Sequence, residues 1–158
     1  VAFFRGDGLA TPARFLRNYY NAGPASSTSY LPSDFTGSWD GVARQLVTVP
    51  VLLLPGDTID LTAQASIISA PSGRAGDLTA ELDAWTIARA RNTHSGEPFV
   101  WKNYHCSYVG PLIPSGPAQQ ASCVMRYVPI SSTGGTFTVL GDGAASSLIV
   151  RLDPYRWA

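Results

Sequence analysis

Residues 57 to 68 read Asp57-Thr58-Ile59-Asp60-Leu61-Thr62-Ala63-Gln64-Ala65-Ser66-Ile67-Ile68, and their pattern decides the class of fold. Apolar Ile59, Leu61, Ala63, Ala65 and Ile67 alternate with polar Asp60, Thr62, Gln64 and Ser66. A period of two puts the first set on one face of a β-strand and the second set on the other. Pro55-Gly56 marks the turn that precedes the strand.

Working outward, residues 45–54 form a second apolar run that reads as a strand. Pro50 within it has no N–H for a ladder, so the run belongs at a sheet edge or carries a bulge. Further strands are expected over 99–109, 122–128, 136–140 and 147–152, separated by turn-rich segments at 110–117, 131–135 and 141–143. Two stretches are ambiguous. Leu78, Leu82, Trp85 and Ala88 fall at helical spacing behind Asp77, a potential N-cap, yet Trp85-Thr86-Ile87 sits among alternating polar residues, and a strand over 82–91 is the favoured reading. Thr11-Pro12 resembles a helix start with Gly23 as its stop, so 12–21 is either a short helix or a strand carrying Phe15 and Tyr19. Six to eight short strands without a repeated βαβ pattern point to an antiparallel β-sandwich of jelly-roll type.

Composition agrees. The 158 residues include 15 Gly and 12 Pro, a density of backbone breaks that favours short elements. Charged residues make up 14% against a usual ~25%, with 11 basic balancing 11 acidic residues. That balance speaks against a disordered chain and against a basic nucleic-acid platform. Lys102 is the one lysine, and Glu81 and Glu97 are the two glutamates; their scarcity removes the preferred surface residues of helices. The excess of arginine, alanine, glycine and proline fits a GC-rich coding sequence, hence a high-GC bacterium or its phage. The apolar run 47–54 is too short to span a bilayer. Val1 in first position, without a charged-then-apolar leader, is read as the start of a chain processed, trimmed or cut from something longer.

Chemistry is sparse. Cys106 and Cys123 fall on strands expected to be neighbours, so a disulfide closing the loop between them is feasible and would add roughly 3 kcal/mol; two buried thiols are the alternative. His105 and Cys106, adjacent on a strand, point to opposite faces and form no dyad. His94 and His105 are the two histidines, too few for a histidine-rich zinc site, and no metal ligand set or cofactor is expected. No nucleophile elbow and no phosphate-cradling glycine loop occurs. Glu81 and Asp83 would share a strand face, a spacing more typical of a solvated face than of a catalytic carboxylate pair. An enzyme is not expected.

Binding features are richer. Between Tyr30 and Gly41, aromatic rings and carboxylates concentrate in a Gly/Pro/Ser-rich stretch. Tyr30, Asp34, Trp39 and Asp40 are the candidate ligand residues there, with rings to stack on a sugar and carboxylates to accept its hydroxyls. The competing reading has Phe35 and Trp39 capping the core of the sandwich. Arg5-Gly6-Asp7 spells an adhesion tripeptide that chance explains, and Asp142-Gly143 is a hairpin signal rather than a calcium loop. Tyr155 and Trp157, aromatics near the end of the sequence, are candidates for oligomer contacts.

Three traits carry a resemblance: Leu46-Val47-Thr48-Val49-Pro50 leading into Pro55-Gly56-Asp57-Thr58-Ile59, the aromatic and histidine strand at Tyr104-His105, and the closing strand Ser146-Ser147-Leu148-Ile149-Val150-Arg151-Leu152. Over residues 45–157 the chain resembles the C1q/TNF-like β-sandwich modules of virion proteins from phages of high-GC bacteria. The resemblance implies an oligomeric, trimeric surface module of a tail fibre, tail tip or head decoration, and no family residue can be carried over with it. Residues 45–158 are expected to form the sandwich, with 1–44 either an attachment arm or its first strands. The expected function is a non-enzymatic virion protein that oligomerises with itself, contacts other virion proteins and binds a host-surface component such as a glycan, without nucleic-acid binding or membrane insertion. The alternative is a secreted bacterial carbohydrate-binding or adhesion module, for which Trp39→Ala should abolish binding and leave the fold intact.

Overall fold

A computed structural model describes residues 26–53, 57–83, 85–95, 99–111, 119–132, 134–141 and 145–153. Their strands are β1 (Ser26–Tyr30), β2 (Phe35–Ser38), β3 (Arg44–Leu53), β4 (Thr58–Ser69), β5 (Arg74–Leu82), β6 (Trp85–His94), β7 (Lys102–Pro111), β8 (Gln119–Pro129), β9 (Thr136–Val139) and β10 (Ser147–Asp153). Among them no helix is long and apolar enough to cross a membrane.

Strand β4 behaves as its alternation requires. Ile59, Leu61, Ala63 and Ile67 are fully buried and Ala65 nearly so, while Asp60, Thr62, Gln64 and Ser66 are half-buried on the opposite face. Each large aliphatic side chain buried this way stabilises the fold by ~1.5–3 kcal/mol before entropy is counted. One edge of β4 pairs with β10 and the other with β7, and β1 extends the sheet beyond β10. The resulting sheet, β1-β10-β4-β7, faces a second of order β3-β8-β5-β6, and every pairing is antiparallel. Chain-consecutive strands repeatedly change sheets, and this double Greek-key winding is the jelly roll. Pro50 lies exposed on β3, an edge strand, where a missing donor is tolerated. The bulge on that strand falls between Gln45 and Val47.

The connections β1–β3, β4–β5, β6–β7 and β8–β10 meet at one end of the sandwich. There β9 pairs with the last residues of β4 and with β2, forming a flap over the core. Backbone bonds tie the loops together: Ala70 N–H to Thr136 O (2.9 Å), Trp39 N–H to Gly135 O (3.0 Å) and Phe99 N–H to Ser69 O (3.1 Å). Under the flap, Trp39, Tyr127 and Phe137 pack edge to face with centroids 4.8–6.0 Å apart. Gly76 is required beneath this cluster, because a Cβ there would collide with the ring and hydroxyl of Tyr127. Gly141 is required for a different reason: the backbone of Ser33 passes directly over it, and its N–H donates to Asp34 Oδ1 at 2.8 Å.

The structure redraws the ambiguous region. The strand expected over 82–91 is present from Trp85 onward as β6, while Leu82 ends a separate strand, β5, and the two meet at a turn at Asp83, whose φ of 51° is a conformation aspartate tolerates. Glu81 therefore belongs to a strand and Asp83 to the turn, where Oδ1 of Asp83 accepts from Ser122 N–H at 2.8 Å. They do not share a strand face. Residues 26–44 contribute β1, β2 and Trp39 to the sandwich. The ambiguous helix or strand at 12–21, the Arg5-Gly6-Asp7 tripeptide, Asp142-Gly143, Tyr155 and Trp157 lie outside the described residues.

Candidate functional surfaces

The expected ligand cluster in residues 30–41 is not assembled. Trp39 is 1% exposed, its indole N–H donating to Ser69 Oγ at 3.0 Å and lying 3.2 Å from Thr136 O. A ring enclosed on both faces cannot stack on a sugar, so Trp39 is a core residue, as the competing reading held. Asp40 is exposed and engaged locally, pairing with Arg44 and accepting from Val42 N–H at 2.9 Å. The adjacent bonds hold its carboxyl below the usual carboxylate range. Asp34 is committed to Gly141. Tyr30 stands at the other edge of the sheet from β2, half-exposed, with Ser147 as its cross-strand partner.

The disulfide reading is also corrected. Cys106 and Cys123 are free and buried. Strands β7 and β8 follow each other in the chain but belong to opposite sheets: Cys106 pairs with Ala63 across one, Cys123 with Val49 and Leu82 across the other. Cys106 Sγ is 3.6 Å from Leu78 O. Burial pushes both thiols up, to about 11 for Cys106 and about 12 for Cys123, so neither is a ready nucleophile. Among the described residues, no three His, Cys, Asp or Glu side chains converge as a metal site would require.

Three surfaces remain. On the outer face of the β3-β8-β5-β6 sheet, Asp77 and Glu81 are almost buried beneath arginines from the flanking strands. Arg91 grips Asp77 with two hydrogen bonds of 2.9 and 3.1 Å, Arg89 approaches it to 3.5 Å, and Arg126 meets Glu81 at 2.9 Å. These charges satisfy one another.

On the outer face of β1-β10-β4-β7, the register places Tyr30, Ser147, Gln64 and His105 in one row across four strands, with Ser66 and Asn103 in the next. A shallow depression of about 300 Å³ opens there, lined by Gln64, Ser66, Asn103, His105 and Ala145 among others. Its side chains are braced: Gln64 Nε2 donates to Ser147 Oγ at 3.1 Å, Ser66 Oγ to Asn103 Oδ1 at 2.8 Å, and Ser66 N–H to Ser146 Oγ at 3.3 Å.

The third surface is apolar. Of the eight large hydrophobic side chains exposed among the described residues, five lie on β6, β7 or the segment between them: Trp85 (79%), Phe99 (68%), Val100, Trp101 and Val109 (73%). Strands β6 and β7 are the outermost strands of their sheets on that side of the sandwich. Phe99 adopts φ 66°, a costly backbone for a bulky residue, and its side chain still points to solvent.

No family model and no curated protein matches the sequence. Solved structures do. The structure of the Gt strain of infectious bursal disease virus superposes with a TM-score of 0.50 at 12% identity, covering 82% of this chain and 37% of that one. The VP2 subviral particle of the same virus gives 0.49 at 14% identity, covering 82% and 37%. Eiger TNF from S. frugiperda gives 0.42 at 11%, covering 69% and 67%. The first likeness shows a shared fold, the jelly roll read from the strand order above. The chain spans little more than a third of that viral chain.

Proposed function

We propose that this chain is a non-catalytic structural module of a virus particle that assembles with copies of itself through its β6–β7 side. A jelly roll by itself serves many functions, so the surface carries the reading. The supporting observation is the gathering of Trp85, Phe99, Val100, Trp101 and Val109 on one side of a module with few charges to solvate it. Trp85 and Val109 lie toward one end of β6 and β7 and Phe99, Val100 and Trp101 beyond the other, and exposed apolar side chains ranged along one side of a protein of this size favour an interaction site. Two outermost strands side by side add unpaired backbone groups to the same face, an arrangement isolated proteins usually blunt with charge or proline. On this reading the module is a homotrimeric part of a phage tail fibre, tail tip or head decoration, in contact with other virion proteins and presented to the host surface outside the cell.

Size-exclusion chromatography with light scattering tests the assembly. The wild-type chain is expected to run as an oligomer at micromolar concentration, and Trp85→Ser combined with Trp101→Ser is expected to shift it to monomer without loss of strand content. A wild-type monomer overturns the reading.

A further inference from the structure

We propose that the depression on the outer face of the β1-β10-β4-β7 sheet is a binding site for a neutral, polyhydroxylated ligand, an oligosaccharide without acidic groups. This goes beyond the assembly reading and is tested apart from it: the depression shares strand β7 with that surface through Asn103 and His105, but its walls are polar, and sugar binding is read separately from oligomeric state.

The case begins with the chemistry of the walls. Gln64, Ser66, Asn103 and His105 offer amide, hydroxyl and imidazole groups, each able to pair with a hydroxyl that both donates and accepts. Among the described residues, no carboxylate, lysine or arginine lines the depression. The nearest charged pair in register on this face, Asp60 opposite Arg151, is four residues along β4 from Gln64, about 13 Å away. A ligand carrying a phosphate or carboxylate would find no counter-charge, whereas an uncharged sugar needs none.

Geometry supplies the second part. Ser66 and Ser147 hold Asn103 and Gln64 in place, so little side-chain entropy remains to be lost on binding. With Asn103 Oδ1 accepting from Ser66, the amide N–H groups of this exposed residue are directed to other acceptors. Tyr30 ends the row outside the depression, beyond Ser147, which is itself buried. It lies three strand spacings from His105, about 14 Å, and half of its surface is exposed. An aromatic face at one end and hydrogen-bonding groups at the other suit a chain of sugar rings laid across the strands, the ring stacking on an apolar sugar face. Tyr30 thus takes part in recognition, but in the company of β4 and β7 rather than of Asp34, Trp39 and Asp40.

The probe is a printed array of neutral oligosaccharides built from hexoses and N-acetylhexosamines, with sialylated and uronic-acid glycans as a second arm, followed by calorimetry on the best neutral sugar at millimolar concentration. Binding to neutral sugars is expected, weakened about tenfold by each of Asn103→Ala, Gln64→Ala and Tyr30→Ala, the size of one lost hydrogen bond or ring contact. These positions lie on the solvated face, and thermal denaturation checks that each variant remains folded. Absence of binding to every neutral sugar, binding to acidic glycans alone, or neutral-sugar binding that survives both Asn103→Ala and Gln64→Ala would each overturn the assignment.

Discussion

Nε2 of His94 and the hydroxyl of Tyr104 lie 2.9 Å apart beneath the loop end of the sandwich, and Tyr104 in turn reaches the hydroxyl of Tyr127 at 3.1 Å. The other ring nitrogen of His94, Nδ1, is buried and has no hydrogen-bond partner among the described residues. A protonated imidazole would leave a charged N–H unpaired in the core. Burial first, and then the positive charge of Lys102, push the His94 pKa from 6.5 down to about 4.

The sign of the pH dependence follows. Above pH 6.5 the ring is neutral in both folded and unfolded chains and contributes nothing. Between 6.5 and about 4 the unfolded chain takes up a proton that the folded chain refuses, so stability falls as pH falls across that window, with a ceiling of about 3 kcal/mol. Urea unfolding of wild type and His94→Gln between about pH 7 and about pH 4.5 measures it. The wild type should lose more stability than the variant, and parallel curves would contradict the role given to His94.

Trp39→Ala should unfold the flap rather than disable a binding face. The indole fills the space between His94, Tyr127 and Phe137 and bonds Ser69 and Thr136. Truncating a buried aromatic side chain costs ~3–5 kcal/mol. Chemical denaturation should show a loss of that order, and Trp39→Phe a smaller one that reflects the missing N–H donor. A stability within ~0.5 kcal/mol of wild type for Trp39→Ala would mean that the ring is not in the core.

Both cysteines should be silent in the folded protein. Cys123 is fully buried and Cys106 nearly so, and both thiols are pushed well above neutral pH. A thiol reagent at pH 8 should label the native chain slowly, and label two thiols per chain once denaturant is added without reductant. A denatured chain that yields no thiols until it is reduced would show a disulfide instead.

The elements legible in the sequence are those with one face in the core and one in water. β4 is the clearest, since Asp60, Thr62, Gln64 and Ser66 announce the solvent side. β5 was hidden because its outward residues Asp77, Thr79 and Glu81 are themselves nearly buried under arginines of β6 and β8, so inside and outside do not separate by polarity. β1, with the sequence Ser-Ser-Thr-Ser-Tyr, has no apolar alternation to read. It is a strand because β10 supplies its hydrogen bonds.

The candidate sites follow the same division. Trp39 could be recognised as aromatic and near a turn, but whether such a ring faces solvent depends on β9 closing over it, nearly a hundred residues away in the chain. The row Tyr30, Ser147, Gln64 and His105 draws one residue from each of four strands and has no local signature at all.

By itself, then, the sequence determined the all-β class, the inward face of β4 and the positions of most later strands, because a period of two is a local property set by burial of alternate side chains. Tertiary structure alone decided which strands lie side by side. Pairing and register depend on burying whole faces against distant partners, and a shift of one residue would reverse every side chain. That is why the cysteines proved to be in opposite sheets, why Trp39 is enclosed, and why four residues remote in sequence line up in one row across four strands.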